Sequence, residues 1–338
     1  MKSGATTVDT ECPVCSGSIF TTGEEAFDDR YGHPGLFKIV RCHGCGHLMT
    51  SPQLQESDLP ALYGTYYPRK SLTAAMVAKQ SQGAASWSRK VARWFSGTDN
   101  QGQYTVRAGE RMLAIGCGGG LSLLEAHLLG AQAWGVEADP NVQPLARELG
   151  LQVHQGNLQD KPFPDVQFDL VVMNQVIEHI PQPDLVLAEI HTRLAPNGRV
   201  VLVFPNVNSL WCKLSGMRWI NWHIPYHLHH FSRQSFSRLA QRCGYRITAQ
   251  RTITPNLWTL LQVRASRNVA VQGQPSALWA TGATADVNTP PASVSWGQRM
   301  RRTVLFMVLV PVGVFNRLVD AFGWGDSLLV ELVPVKSS

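Results

Sequence analysis

A short apolar run from Arg111 to Ile115 breaks into a turn that carries Gly116, Gly118 and Gly120. A helix-like apolar stretch, LSLLEAHLLG, follows directly. Glycine lets the backbone approach a ligand closely because it has no Cβ, and the N–H groups at a helix N-terminus attract anionic groups. The pattern predicts a strand, a ligand-binding loop and a helix start, which is the first unit of an alternating α/β fold.

A second apolar run, Ala133 to Val136, ends in Glu137 about twenty residues after the loop. An acidic residue at that place typically accepts hydrogen bonds from the hydroxyls of a ribose. The dinucleotide fingerprint would also need glycine at position 121, where the chain has Leu121. We therefore expect a ligand that carries a ribose and is bound by a G-x-G-x-G loop.

This loop, followed by Glu137 and by the block from Gln155 to Asn206, resembles class I S-adenosylmethionine (SAM) dependent methyltransferases. The resemblance implies a doubly wound, seven-stranded Rossmann-like α/β sheet. By position, it implies a SAM site formed by Gly116, Cys117, Gly118, Gly120, Glu137, Ala138, Asn157, Leu158 and Asn174.

Two residues depart from the pattern of that family. Ala114 stands where an acidic residue is usual, and Asn157 stands where an aspartate usually meets the adenine amino group. Asn157 can still accept this hydrogen bond through its side-chain oxygen, whereas Ala114 cannot replace a carboxylate.

Four of the seven cysteines form two C-x2-C pairs, Cys12 with Cys15 and Cys42 with Cys45, separated by 26 residues. Each pair aims two sulfurs at one point, which suits a tetrahedral zinc-thiolate site. We predict a structural Zn²⁺ in a small ribbon-like domain, with a hairpin turn at Asp28–Gly35. Two disulfides are the competing interpretation.

Three histidines lie near these cysteines, namely His33, His43 and His47. We expect none of them to bind the metal, because four thiolates already complete a structural site. The N-terminus, MKSGATTVDT, lacks the apolar centre of a signal peptide, so we expect a cytoplasmic chain with reduced cysteines.

The order of a four-cysteine domain, a tyrosine-rich connector and this core resembles methyltransferases of sugar and glycoconjugate assembly. Tyr63, Tyr66 and Tyr67 fit either a sugar site or aromatic packing on the core. Further on, apolar residues recur at helical spacing in WSRKVARWF, residues 87–95, and we expect this helix to cover the cofactor cleft.

The remaining pattern places the core strands at 111–115, 133–137, 151–154, 168–173, 198–204, 245–252 and 327–335. The last of these is expected to lie antiparallel between the fifth and the sixth. A helix should begin after Ser232 and end at Gly244. The predicted domains are 1–50 (zinc ribbon), 51–105 (connector and cap helices), 106–263 (core), 264–298 (flexible insertion) and 299–338 (apolar helix and last strand).

The late apolar run, Thr303 to Phe315, has 13 residues and includes Pro311. It is shorter than the about 20 residues that a transmembrane helix needs. Two interpretations stay open: packing on the protein itself, or a peripheral membrane contact through 299–322 at the inner face, held by neighbouring arginines. The net charge of +6 is compatible with an anionic partner.

We predict that the protein methylates a small-molecule or sugar acceptor, with oxygen as the preferred atom. An RNA methyltransferase is a second hypothesis, but the strand end MNQVIEHI lacks the Asn-Pro-Pro-Tyr/Phe loop of many amino-methylating relatives, so nucleic acid is not the expected partner. A third hypothesis is a non-catalytic binding module, which Ala114 and Asn157 suggest.

Methyl transfer to a hydroxyl needs a proton acceptor, and histidine suits this task near neutral pH. His179 follows the fourth core strand, and the segment PYHLHHFS resembles the one that carries a catalytic histidine in sugar C-methyltransferases. The match falls on His227, while the preceding glutamate of those enzymes is Tyr226 here, which favours an oxygen acceptor. We predict catalytic roles for His179 and His227 and supporting roles for His229 and His230.

Overall fold

The structure is a computed structural model that describes residues 7–8, 11–53, 62–66, 72–279 and 296–335. Within these ranges the chain forms a seven-stranded sheet and a five-stranded sheet. The strands are β1 (Thr7–Val8), β2 (Ile19–Phe27), β3 (Leu36–Cys42), β4 (Leu48–Ser51), β5 (Arg111–Ile115), β6 (Gln132–Glu137), β7 (Gln152–Gln155), β8 (Phe168–Asn174), β9 (Leu194–Pro205), β10 (His229–His230), β11 (Tyr245–Ile253) and β12 (Ser327–Pro334). The helices are α1 (Ala74–Ser81), α2 (Trp87–Ser96), α3 (Leu121–Leu128), α4 (Val142–Glu148), α5 (Pro183–Arg193), α6 (Leu210–Ser215), α7 (Arg233–Arg242), α8 (Asn256–Ala265) and α9 (Trp296–Ala321).

The large sheet has the order β11-β12-β9-β8-β5-β6-β7. Five neighbouring strands of this sheet run parallel, namely β9, β8, β5, β6 and β7. The strand β12 lies antiparallel between β9 and β11. This confirms the predicted doubly wound, seven-stranded sheet, including the place of the last strand. The central strands are apolar throughout because helices cover both faces of the sheet.

The fifth core strand, β9, begins at Leu194 and not at residue 198 as predicted. Leu194 pairs with Phe168 before a shift in register, and Asn197 adopts a positive φ of 66° at the Asn-Gly step. The Asn-Gly pair, which usually indicates a turn, therefore lies at an irregular position inside the strand. The predicted helix cap is confirmed, since Ser232 Oγ accepts the N–H of Ser235 at 3.1 Å.

The small sheet has the order β1-β2-β3-β4-β10. Its last strand comes from the core: His229 pairs with Met49, and His230 pairs with Leu48. Residues 28–35 form the turn between β2 and β3, where Asp28 accepts backbone N–H groups from Arg30, Tyr31 and His33. A segment of the core thus completes the N-terminal sheet.

Helix α2 is present as predicted, but it packs on α9. The Phe95 ring lies against Gly313, where a Cβ would approach it to 2.6 Å, and Arg317 Nη1 donates to the Trp94 carbonyl at 2.6 Å. The side chain next to the glycine-rich loop is instead Leu72, which would lie 2.7 Å from a Cβ at Gly119. Helix α2 thus packs on α9 at Gly313, and its Arg93 also lies over the Tyr104 ring, 4.2 Å from the ring centroid; its place over the cofactor cleft stays a prediction.

The segment predicted as an insertion includes a packed part. After α8 ends at Ala265, residues 266–279 lie along the N-terminal hairpin, where Ser276 N–H donates to the Arg30 carbonyl at 2.8 Å. The guanidinium of Arg30 stacks on Trp279 at 4.1 Å. Residues 280–295 lie outside the described ranges.

The late apolar run lies in α9, which continues through Pro311 to Ala321. None of the helices in the described ranges is long and apolar enough to cross a membrane.

Candidate functional site

The loop after β5 presents its backbone to the cleft at the carboxyl ends of the parallel strands. Gly118 has a φ of 51°, and a Cβ at this residue would meet no atom within 4 Å. At Gly116, by contrast, a Cβ would approach Val176 Cγ2 to 2.5 Å. The loop is therefore packed against Val176 at Gly116 and open at Gly118.

Glu137 at the end of β6 holds this loop in place. Its Oε2 accepts the N–H of Gly118 at 2.8 Å, and its Oε1 accepts the N–H of Asp139 at 3.0 Å. A carboxylate has about four lone-pair sites, so it retains acceptor capacity for ribose hydroxyls. Glu137 therefore both shapes the loop and can bind the predicted ribose.

The remaining residues of the predicted SAM site lie at the same sheet edge. Cys117 and Leu158 are buried, and burial raises the pKa of the Cys117 thiol to about 12. Ala138 and Asn157 are exposed, and Asp160 Oδ2 accepts the N–H of Asn157 at 2.8 Å. Ala114 is buried in the middle of β5, between β6 and β8, and therefore cannot bind a polar ligand group.

The side chain of Asn174 is held by a network that the sequence did not reveal. Its Oδ1 accepts the N–H of Gly102 at 2.7 Å, and its Nδ2 donates to Gln103 Oε1 at 2.9 Å. Glu125 then accepts hydrogen bonds from Gln103 and from the Tyr104 hydroxyl, both at 2.8 Å. Asn174 thus fixes the 102–105 turn beside the end of β8.

Gln175 follows directly, with a positive φ of 56°. Its Nε2 is buried and has no hydrogen-bond partner among the residues that the structure describes. A non-glycine residue in this strained conformation costs about 1–3 kcal/mol and is typical of functional sites. The amide is therefore available to a ligand.

His179 and His227, the predicted catalytic residues, lie together. Their ring centroids are 4.7 Å apart in a T-shaped arrangement. His179 Nδ1 lies 2.8 Å from the Tyr226 carbonyl, and His227 Nδ1 lies 2.8 Å from the Asn221 carbonyl. Because a carbonyl only accepts, each Nδ1 carries the proton and each Nε2 is the basic nitrogen.

Burial keeps both imidazoles neutral. It lowers the pKa of His179 to about 4 and lowers the pKa of His227 well below its ordinary value, with the neighbouring His179 adding to the second effect. A neutral imidazole is the form that accepts a proton. The sequence missed a third histidine, His223, whose Nδ1 lies 3.4 Å from His227 Nε2.

Glu178 stands beside this histidine cluster and is fully buried. Its carboxylate oxygens have no hydrogen-bond partner in the described part of the chain, and burial raises its pKa to about 8. Glu178, His179 and His227 each offer one ligand atom, and these three atoms lie within 4.8 Å of one another. Such a trio could hold a metal ion.

The other two histidines of PYHLHHFS support the fold, as predicted. His229 Nδ1 lies 3.1 Å from His47 Nε2, and His230 Nε2 lies 3.0 Å from Thr50 Oγ1. Both side chains join β10 to the N-terminal sheet, and they are buried.

A cavity of about 270 Å³ is lined in part by His223. It is bounded by the N-terminal hairpin, the 217–224 loop and residues 265–279. Polar and aromatic side chains that line it include Glu25, Asp29, Trp219, Trp222, His223 and Trp279. Of the three tyrosines of the connector, Tyr66 has its ring centroid 5.2 Å from that of His33. Tyr67 and the side chain of Tyr63 fall outside the described residues.

The four predicted metal ligands converge. Cys12 Sγ lies 3.7 Å from Cys45 Sγ, and Cys15 Sγ lies 3.4 Å from Cys42 Sγ. With a Zn–S bond of about 2.3 Å, a tetrahedral site needs sulfurs about 3.8 Å apart, whereas a disulfide needs about 2.05 Å. All four sulfurs lie within 4.8 Å of one another, so the cluster fits zinc and does not fit two disulfides.

Helix α7 attaches this cysteine cluster to the core. Arg238 Nη1 donates to the Gly44 carbonyl at 2.6 Å, and Arg242 donates to the Pro13 carbonyl and to Asp184. His47 Nε2 lies 3.1 Å from His229 Nδ1, and the His47 ring packs on Phe231 with 4.9 Å between the ring centroids.

A protein-family model described as "Methyltransferase domain" matches residues 80–250, just over half of the chain. A "Ubiquinone biosynthesis O-methyltransferase" of Cereibacter sphaeroides is 33% identical over 133 residues, which are 37% of this chain and 54% of that protein. A rice protein (Oryza sativa subsp. japonica) described as "Probable tocopherol O-methyltransferase, chloroplastic" is 35% identical over 107 residues, 29% of this chain and 28% of that protein.

The matched part of the chain thus spans about half of the first relative and about a quarter of the second. Among solved structures, an S-adenosylmethionine dependent methyltransferase from Mesorhizobium loti is 15% identical, with a TM-score of 0.42. That comparison covers 71% of this chain and 97% of the other.

Proposed function

Because the chain belongs to the methyltransferase domain family, we propose that it transfers a methyl group from SAM to a hydroxyl oxygen of a small-molecule acceptor. The observation that carries this proposal is the open space beside Gly118, next to a carboxylate that holds the loop. This combination fits a nucleoside with a ribose. The O-methyltransferase names of the relatives support oxygen as the methylated atom.

SAM supplies an activated methyl group on a sulfonium. As the acceptor oxygen attacks the methyl carbon, the carbon–sulfur bond breaks and the hydroxyl proton must leave. We assign the acceptance of this proton to His227 Nε2, because its Nδ1 is committed to the Asn221 carbonyl; burial keeps the imidazole neutral but, by lowering its pKa, also makes it a weaker base. His179, whose ring faces His227, orients it and provides a second basic nitrogen.

We place the acceptor at the cavity that His223 lines, because His223 Nδ1 lies 3.4 Å from His227 Nε2 and so connects this cavity to the proposed base. Tryptophan rings and carboxylates line this cavity, and such a lining suits a polar ring such as a sugar. Asp29 Oδ1 also lies 3.8 Å from Arg30 Nε, so this carboxyl is held beside a guanidinium at the cavity wall. A sugar or glycoconjugate acceptor is therefore the finer form of the proposal.

Zinc holds the N-terminal domain together in this proposal. Four thiolates fill the coordination shell and leave no position for a substrate. Gly17 and Gly44 favour such a site, because a Cβ at either residue would lie 3.2 Å from Cys15 Sγ. The role of the metal is structural.

The test of the proposed base is turnover with labelled SAM against a panel of nucleotide sugars and phenols. We expect His227→Ala to lower turnover at saturating SAM by about 10²- to 10⁴-fold with unchanged SAM affinity. His191→Ala, which removes an exposed histidine on α5, is the matched control and should retain the activity of the parent. A loss under about tenfold would remove His227 from the mechanism, and methylation of RNA alone would replace the small-molecule acceptor.

A further inference from the structure

The described side chains of helix α9, residues 309–321, expose several apolar groups and bury polar ones. Val314, Phe315 and Leu318, together with Phe322 directly after the helix end, are 50%, 43%, 57% and 72% exposed, whereas Val319 is buried. Asn316 is buried, and Asp320 accepts a hydrogen bond from the Thr254 hydroxyl within the protein. A surface helix of a soluble protein buries its apolar side chains and exposes its polar ones. The reverse arrangement indicates that the exposed apolar side chains of α9 contact another apolar surface.

Hydrogen bonds hold the inward polar side chains Asn316 and Asp320. Asn316 Nδ2 donates to Asn256 Oδ1 at 2.9 Å, and Asn316 Oδ1 accepts from the Thr259 hydroxyl at 3.0 Å. Asp320 pairs with Arg317 at 2.8 Å and accepts from the Thr254 hydroxyl at 2.7 Å. These bonds fix the rotation of α9, so its apolar residues cannot turn inward without breaking them.

The adjacent helix α8 repeats the pattern. Asn256, Thr259 and Gln262 are buried, whereas Leu257 is 62% exposed. Gln262 accepts the Ile220 N–H and donates to the Arg218 carbonyl, both at 2.9 Å. Two neighbouring helices thus turn polar side chains inward and apolar ones outward.

Helix α2 extends the same surface, because it packs on α9 through Phe95 and Trp94. Trp87, Val91 and Trp94 recur at intervals of four and three residues on one side of α2 and are 77%, 42% and 52% exposed. We call the combined surface the outer apolar face and define it by Trp87, Trp94, Leu257, Phe315, Leu318 and Phe322.

Basic residues surround this face. The sequences of α2, α6 and α8 contain no acidic residue, and they expose Arg89, Lys90, Lys213 and Arg264. Asp320 and Asp326 are engaged inside the protein, and Asp99, which follows α2, is paired with Arg251. An apolar face with tryptophans and a cationic rim is the pattern of elements that lie in the interface of an anionic membrane.

We propose that the outer apolar face docks on the surface of an anionic lipid bilayer, with α9 lying in the plane of the interface. A second copy of the chain fits less well, because a two-fold interface would bring the same cations against each other. The proposal does not depend on the proposed methyl transfer, because its observations concern the exposed side chains of α2, α8 and α9 and the cations around them.

The test is co-sedimentation of the full chain with vesicles. We expect binding to mixed phosphatidylcholine and phosphatidylglycerol vesicles at low salt, and weaker binding to phosphatidylcholine alone or at high salt. Leu318→Gln combined with Phe322→Gln should weaken the binding at least about tenfold, because two apolar side chains no longer enter the lipid. Leu128→Gln combined with Leu185→Gln changes residues of similar exposure (52% and 55%) on α3 and α5, and this control should bind like the parent.

Thermal unfolding is measured first, and both double variants should unfold at the same temperature as the parent because the substituted side chains are exposed. Tryptophan emission provides a second readout: brominated lipids should quench the parent more strongly than a Trp87→Phe, Trp94→Phe variant. Parent protein that stays in the supernatant with anionic vesicles would overturn the proposal. So would a parent dimer that Leu318→Gln with Phe322→Gln converts to a monomer, since a second copy would then occupy the face.

Discussion

At the scale of single residues, spacing along the chain located the candidate site residues and missed others that only the fold brings beside them. Gly118, Glu137 and the four cysteines follow a fixed local pattern, because a strand-loop-helix unit and a C-x2-C turn each set the positions of their own residues. His223 and Gln175 carry no such pattern, and their places depend on loops that meet only in the folded chain. A positive φ at Gln175 has no signature in a single sequence.

Glu137 has two tasks, and two substitutions separate them. Glu137→Ala should lose the hydrogen bond to the Gly118 N–H together with those to ribose, each worth about 1.5–3 kcal/mol when charge-assisted. We expect SAM affinity to fall at least about tenfold, because 1.4 kcal/mol is a factor of ten. Glu137→Gln keeps an acceptor for the Gly118 N–H, so its SAM affinity should fall less than that of Glu137→Ala.

Calorimetric titration of SAM measures both variants. Glu148→Ala removes an exposed glutamate on α4 and should bind SAM like the parent. Equal affinity in the parent and Glu137→Ala would show that the ribose lies elsewhere.

At the scale of elements, the strands of the large sheet were predictable within a few residues, because buried parallel strands form continuous apolar runs. The elements that the sequence did not predict were either very short or had their polar side chains buried. β10 has two residues and owes its existence to pairing with β4, and α8 follows β11 with its polar residues buried. Periodicity finds the helix in α2, but it cannot tell whether an apolar stripe faces the protein or a lipid.

The N-terminal element offers a test of the metal. Cys42→Ser should release one Zn²⁺ per chain and loosen β2 to β4, since about 10–16 kcal/mol of binding free energy stabilises such domains. Metal analysis of the purified protein gives the stoichiometry, and protease sensitivity within residues 11–53 reports the loosening. Cys243→Ser changes a cysteine outside the cluster and should keep the metal. Freshly purified parent without zinc would contradict the assignment.

At the scale of the whole molecule, the two sheets are joined by buried neutral histidines, which makes the free energy of unfolding depend on pH. Burial lowers the pKa of His230 to about 3 in the folded chain, whereas an unfolded histidine titrates near its ordinary value of about 6.5. Between these values the unfolded state binds more protons, so stability falls as the pH falls.

The variant His230→Gln removes this contribution while keeping a donor for the Thr50 hydroxyl. At pH 7 the imidazole of His230 is neutral in both the folded and the unfolded chain, so its protonation does not change the free energy of unfolding. At pH 4 the parent should have lost about 3 kcal/mol more of its free energy of unfolding than the variant, at about 1.36 kcal/mol per pKa unit. Denaturant unfolding at both pH values measures the difference, and parallel pH dependence in the two proteins would show that His230 is not buried neutral.

The central claim is that the loop around Gly118 binds SAM, and calorimetric titration of SAM into two glycine variants tests it most directly. Gly118 and Gly109 have φ values of 51° and 84°, and a Cβ at either would meet no protein atom within 4 Å. Gly109 precedes β5 at the opposite edge of the sheet, so Gly109→Val reproduces the backbone strain without touching the cleft. We predict that the parent and Gly109→Val bind SAM alike and that Gly118→Val binds at least about tenfold more weakly, because its side chain takes the place of the ligand. A parent that binds no SAM, or a Gly118→Val variant that binds it as well as Gly109→Val, would contradict the account.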